Sequence, residues 1–152
     1  MTKVPAPHGG ALILAALLVA LLAAVIAARP AEAGTNATAP TVSTAKNPSL
    51  GKTVLVTRNG LTLYSLSVER RGRFICTDSS CLSFWTPLVV KKGAKPNGIA
   101  GLGTIRRPGG GVQVTYRGGP LYTFYLDHKR GDTGGEGFKD VGTWHAAVKR
   151  TA

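Results

Sequence analysis

The chain repeats itself, and the repeat limits what it can fold into. Val54-Leu55-Val56-Thr57-Arg58-Asn59-Gly60-Leu61-Thr62-Leu63-Tyr64-Ser65-Leu66-Ser67-Val68-Glu69 aligns without a gap on Val112 to Asp127, 58 positions on (54 to 112). The shared pattern is V-x-V-T-x-x-G-x-x-L-Y-x-(L/F)-x-x-(E/D). Trp85 and Trp144 form a further match at a spacing of 59 (85 to 144). Self-similarity at a fixed period marks one structural unit written twice. Half of a domain this small buries too little apolar surface to offset chain entropy, so the two copies are expected to share one core.

Each copy reads as β. Thr53 to Thr57 is β-branched and apolar, and Arg58-Asn59-Gly60 carries the Asn-Gly dipeptide favoured in tight hairpins. The chain returns through Leu61 to Ser67, and the second copy does the same through Val112–Thr115, Arg117-Gly118-Gly119 and Leu121–Tyr125. Thr41–Lys46 and Gly103–Arg106 read as strands preceding the hairpins, and Trp85–Val90 and Trp144–Val148 as strands following them. The expectation is an all-β sandwich or barrel of about eight strands. Its core would hold Leu63, Leu121, Phe124, Trp85 and Trp144, with at most one helical turn, near Ser80 to Trp85.

Before the repeat, Lys3 is followed by 18 residues, Ala11 to Ala28, that are all Ala, Leu, Ile or Val. Arg29-Pro30 stops this run, and Ala31-Glu32-Ala33 supplies a small-x-small cleavage pattern. Residues 1–33 therefore read as a signal peptide, with an uncleaved signal anchor through residues 11–28 as the alternative. Residues 34–40 read as a flexible linker and 41–150 as the duplicated β domain. The exported part is basic, with 17 Lys and Arg against 6 Asp and Glu once Lys3, Arg29 and Glu32 are set aside, a net charge of +11. Export argues against a nucleic-acid partner and for an anionic membrane surface or wall polymer. Arg70, Arg71 and Arg73 after the first hairpin, and Lys129 and Arg130 after the second, are the candidate contacts. Their fields would add if both clusters faced one surface. Cys76 and Cys81 are expected to form a local structural disulfide in an oxidising compartment. C-x4-C is not the C-x-x-C of a redox motif.

Tyr122-Thr123-Phe124-Tyr125-Leu126-Asp127 matches the Y-x-(F/W/Y)-x-x-D motif. With Gly60–Tyr64, the Cys pair followed by Phe84–Leu88, the run Gln113–Tyr122, the Gly131–Gly137 loop and Trp144, the chain from Thr41 to Lys149 resembles a family of secreted bacterial repeats, many of them predicted lipoproteins, whose function is unknown. The resemblance implies export and a β fold, and no reaction. The chain lacks a Cys at the cleavage site, carries Leu66 and Glu69 where the motif has an aromatic residue and Asp, and spaces its cysteines more widely than the family does. The motif positions are thus Tyr64 and Glu69 in one copy and Tyr122, Phe124 and Asp127 in the other.

No G-x-S-x-G, free Cys/His pair or phosphate-cradling turn before a helix is visible, so no enzyme is expected. Asp127 reads as the cap of the turn that follows its strand. Asp127, Asp132 and Glu136 share a glycine-rich loop, yet their spacing is not that of an EF-hand. Asp127, His128 and His145 are weak metal candidates. No cofactor is expected. The leading reading is an exported non-catalytic β domain that contacts anionic envelope components. A metal-binding or redox-linked extracytoplasmic protein is the alternative.

Overall fold

The computed structural model describes residues 39–70 and 72–150. The expected signal segment 1–33, residues 34–38 of the linker, and Arg71 lie outside the described residues. The described chain is all-β apart from one short helix. Its elements run β1 (Val42–Asn47), β2 (Lys52–Thr57), β3 (Tyr64–Leu66), α1 (Ser79–Phe84), β4 (Trp85–Pro87), β5 (Val89–Val90), β6 (Leu102–Arg106), β7 (Val112–Tyr116), β8 (Gly119–Pro120), β9 (Tyr122–Phe124) and β10 (Trp144–Ala146). Asp78 starts α1 by accepting the Cys81 N–H with its carboxylate.

The order of the central sheet, β10-β3-β9-β4, is a palindrome of equivalent strands: Trp strand, Tyr strand, Tyr strand, Trp strand. Its middle strands are antiparallel and meet at Tyr64 opposite Tyr122. A pseudo-twofold axis therefore runs between those two residues. Two flanking sheets correspond across it. In one, β2 pairs with β1 and is bridged by Val148 and Thr62. In the other, β7 pairs with β6, β5 and β8. Individual hydrogen bonds correspond too. Leu55 N–H donates to the Ala147 carbonyl (2.7 Å) as Val114 N–H does to that of Leu88 (2.8 Å). Glu69 N–H donates to the Leu66 carbonyl as Asp127 N–H does to that of Phe124, each at 3.1 Å.

The correspondence corrects the ungapped alignment. β3 and β9 are related by 58 positions (64 to 122), but Leu55 has the place of Val114, 59 positions on (55 to 114). The hairpins differ by one residue. In the first copy Gly60 N–H donates to the Thr57 carbonyl and Thr57 N–H to that of Leu61, a three-residue loop in which Gly60 alone has positive φ, 86°. In the second, Tyr116 pairs directly with Gly119, and both Arg117 (φ 49°) and Gly118 (φ 82°) are left-handed. That is the two-residue loop whose twist matches its strands, whereas the first copy uses the longer loop with a bulge at glycine. Arg58-Asn59-Gly60 is thus the turn, as read from the sequence.

Two apolar clusters fill the interior. One holds Val54, Val56, Tyr64, Leu66, Trp85, Tyr122, Phe124 and Trp144; the other Val42, Leu55, Leu63, Val114 and Leu121. Thr62, Leu63 and Tyr64 are consecutive and all fully buried, while along β3 itself Tyr64 and Leu66 are buried and Ser65 between them is half-exposed. Trp85 and Trp144, equivalent in the two copies, stack 3.7 Å apart at 9°. Gly135 makes room for this pair: a Cβ there would lie 2.7 Å from the Trp85 ring. Each large side chain buried in this way contributes roughly 1.5–3 kcal/mol.

Candidate functional site

The motif residues converge on the pseudo-twofold axis, and they do so crosswise. The Tyr64 hydroxyl of the first copy donates to Asp127 Oδ2 of the second at 2.6 Å. The Tyr122 hydroxyl of the second donates to Glu69 Oε2 of the first at 2.8 Å. Each carboxylate also fastens the loop that follows it. Glu69 Oε1 accepts the N–H groups of Ile75 and Cys76, both at 2.7 Å. Asp127 Oδ1 accepts that of Gly134 at 2.9 Å, the turn-capping role read from the sequence. All four side chains are buried. Burial, and then the bonded Asp127 carboxylate, push the Tyr64 phenol far above its usual range. Burial, and then the Glu69 charge, do the same to Tyr122 against the opposing pull of Arg107. Both phenols are therefore neutral donors at ordinary pH. Phe124 packs against Trp85 with ring centres 4.7 Å apart. The motif closes the two halves of the fold on each other.

Arg107 is the partner that sequence reasoning missed. It is buried, donates to Tyr122 Oη (3.1 Å), the Cys76 carbonyl (2.7 Å) and Gln113 Oε1, and lies over the Phe74 ring at 5.0 Å. Gln113 passes the network on to the Leu121 carbonyl (2.7 Å). Arg107 stands beside Arg106 in an exposed-looking Arg-Arg-Pro-Gly run, and nothing in that run distinguishes it. Cys76 and Cys81 form the expected disulfide (Cα–Cα 5.4 Å), which braces the loop held by Glu69.

The other carboxylates are committed to nearby groups. Asp132 accepts the His128 and Lys129 N–H groups at 2.9 and 3.0 Å, and these bonds lower its pKa. Glu136 accepts the Ala146 N–H at 2.6 Å and pairs with His145 Nδ1 at 3.0 Å. Among the described residues no three His, Cys, Asp or Glu side chains are grouped to hold a metal. Asp127, His128 and His145 are not brought together as one donor set.

A cleft of about 350 Å³ opens on one side of the axis. Lys52, Arg70, Arg117, Arg150, His145 and Glu136 line it, over a floor that includes Leu66, Ala146 and Val148. Among the described residues the one ion pair is His145–Glu136, so the four Lys and Arg side chains have no described carboxylate within 4.0 Å. Arg117 is the one described non-glycine residue with positive φ, a conformation L residues rarely adopt. Tyr116 also borders the cleft. Burial would raise its phenol, but the Arg150 N–H bonded to it and the Arg117 side chain outweigh that and hold it low.

The pseudo-symmetry supplies an internal control. At an offset of 59 the places of Lys52, Arg117, Arg150 and His145 are taken in the other copy by Gly111, Arg58, Lys91 and Thr86, and at an offset of 58 that of Arg70 by His128. The fold therefore does not require Lys52 or His145, whereas Arg117 and Arg150 have basic counterparts.

The expected cation clusters are not united. β3 and β9 run antiparallel, so the segments after them leave in opposite directions. Arg70 lines the cleft, while Arg130 lies over Gly60 and lines a separate recess with Lys46. Arg73 and Lys129 are exposed outside both. Arg70 and Arg130 thus border different recesses. Lys52, Arg117 and Arg150, distant in sequence, take the place the second cluster was expected to fill.

Among the described residues no helix is long and apolar enough to cross a membrane. No curated protein and no solved structure matches the chain. Residues 103–148, from β6 to the bridge residue Val148 just past β10, match the family described as a secreted repeat of unknown function.

Proposed function

We propose that this exported domain is a non-catalytic binding module whose cleft takes an anionic strand of the cell envelope, such as a wall polymer. The observation that carries the reading is the cluster of Lys52, Arg70, Arg117 and Arg150 around one cleft, without described carboxylate partners. Arginine forks match phosphate and carboxylate oxygens in pairs. A concave site suits a strand better than the flat surface of a bilayer. The tyrosine–carboxylate pairs, the groups most able to move protons, are buried and serve the fold.

The test is titration of the exported domain with linear inorganic polyphosphate and, separately, with polygalacturonate over a range of salt. Binding is expected to weaken steeply with salt, because the Debye length shrinks to about 8 Å at 0.15 M. Replacing Arg117 and Arg150 together with Gln should weaken it by about tenfold and flatten the salt dependence. The same change at Lys129 and Arg130 should have a much smaller effect. Equal losses from both pairs of substitutions, or none from either, would reject the cleft as the site.

A further inference from the structure

The opposite end of the central strand pair has a different character. Phe84, Tyr125 and Leu126 are 38%, 46% and 53% exposed. Phe84 and Tyr125 form one patch, with Leu126 next along the chain: the Phe84 and Tyr125 rings meet edge to face at 5.0 Å, and Tyr125 N–H donates to the Phe84 carbonyl at 2.9 Å. Phe138 supports the Phe84 ring from the core side at 6.1 Å. Lys129 and Lys139, three and one residues along the chain from Leu126 and Phe138, are exposed.

The other copy shows that the fold does not call for aromatic rings here. The equivalent backbone bond runs from Ser67 N–H to the Thr143 carbonyl at 2.9 Å, and Thr143 N–H donates back to Ser67 Oγ at 3.0 Å. One end of the pseudo-dimer thus carries Ser67 and Thr143, the other Tyr125 and Phe84. Solvent-facing aromatic groups gain nothing from water, and their placement asks for an apolar or interfacial partner.

We infer that the Phe84–Tyr125–Leu126 edge is a shallow membrane-contact site that inserts into the interfacial layer of a bilayer containing anionic lipid. From the exposed fractions, the patch offers roughly 300 Å². A stable protein interface takes about 800 Å² per partner, so the patch alone is too small for a second copy. Insertion of a few side chains into headgroups has no such threshold. Tyr125 has the form suited to that layer, an apolar ring with a polar tip. Lys129 and Lys139 match anionic headgroups around an apolar centre.

Co-sedimentation of the exported domain with phosphatidylcholine vesicles, with and without phosphatidylglycerol, tests this. The domain should bind the anionic vesicles, and the neutral ones more weakly. Phe84→Thr with Tyr125→Ser, which installs what the other copy carries, should lower the partition coefficient by about tenfold. Leu126→Ser, the most exposed of the three, gives a second variant with little risk to folding and should lower it in the same direction. Arg117→Gln with Arg150→Gln should leave vesicle binding unchanged, separating this edge from the cleft. Vesicle binding that is absent in the unmodified domain, or unchanged in the folded aromatic variants, would overturn the inference. So would self-association that those variants abolish, since a second copy would then be the occupant.

Discussion

Glu69 and Asp127 stand at equivalent places, and the two copies hold them differently. Glu69 reaches its tyrosine with one more methylene, and its loop is braced by the disulfide and by Arg107, whose cation bonds the same Tyr122 hydroxyl. Asp127 has no buried cation near its tyrosine among the described contacts, and its loop turns through glycines and the Asp132 cap. Either Asp or Glu therefore serves as the acid, provided that the following loop adapts. What both copies keep is the crossed hydrogen bond, because it joins the halves. A duplicated fold can then vary one half freely at its surface, and here that freedom yields a cationic cleft at one end and an aromatic edge at the other.

The comparison breaks most directly if its two acids are removed in turn. Glu69→Ala strands two N–H groups, the Tyr122 hydroxyl and, behind it, Arg107, and should cost about 3–5 kcal/mol by chemical denaturation. Asp127→Ala strands fewer groups and should cost about 2–3 kcal/mol. A larger loss at Asp127 would show that the buried cation does not set the difference.

Alkaline titration addresses what the halves share. Both tyrosines have pKa values raised by folding from the model-peptide value of 10.0, so the stability they confer is complete below pH 10 and is lost as pH rises above it. With both phenols contributing, the loss should approach about 2.7 kcal/mol per pH unit. Tyr64→Phe or Tyr122→Phe should each halve that slope. An unchanged slope in either variant would mean that the corresponding phenol already ionises in the folded protein.

The smallest effect is expected at the disulfide. Replacing Cys76 and Cys81 together with Ser should lower stability by about 2 kcal/mol without preventing folding, since the closed loop is short. The equivalent loop of the other copy folds without a cross-link, which is the reason to expect survival. Failure of the variant to fold would show that the first loop depends on its brace far more than its counterpart does.

Much of the fold was legible because its signals are local. Alternating β-branched residues, turn glycines and the close pair of cysteines report on chains a few residues long, and the repeated Trp and Tyr positions named the core. The turn at Arg58-Asn59-Gly60 was legible, but not that it is one residue longer than its counterpart, because Asn-Gly is compatible with two loop lengths and the register that decides between them is set by β1 and by the bridge from Val148. The tyrosine and acid positions were legible as a motif, but not their partners.

By itself, the sequence determined that this is a basic, duplicated β domain with a local disulfide, because each of these follows from composition or from neighbours along the chain. Only the tertiary structure decided that Tyr64 serves Asp127, 63 residues on, and Tyr122 serves Glu69, 53 residues back. It also drew Arg107 inside and collected Lys52, Arg70, Arg117 and Arg150 around one cleft. Those pairings arise from two antiparallel strands crossing at a pseudo-twofold, an arrangement that relates residues by symmetry in space and not by spacing along the chain.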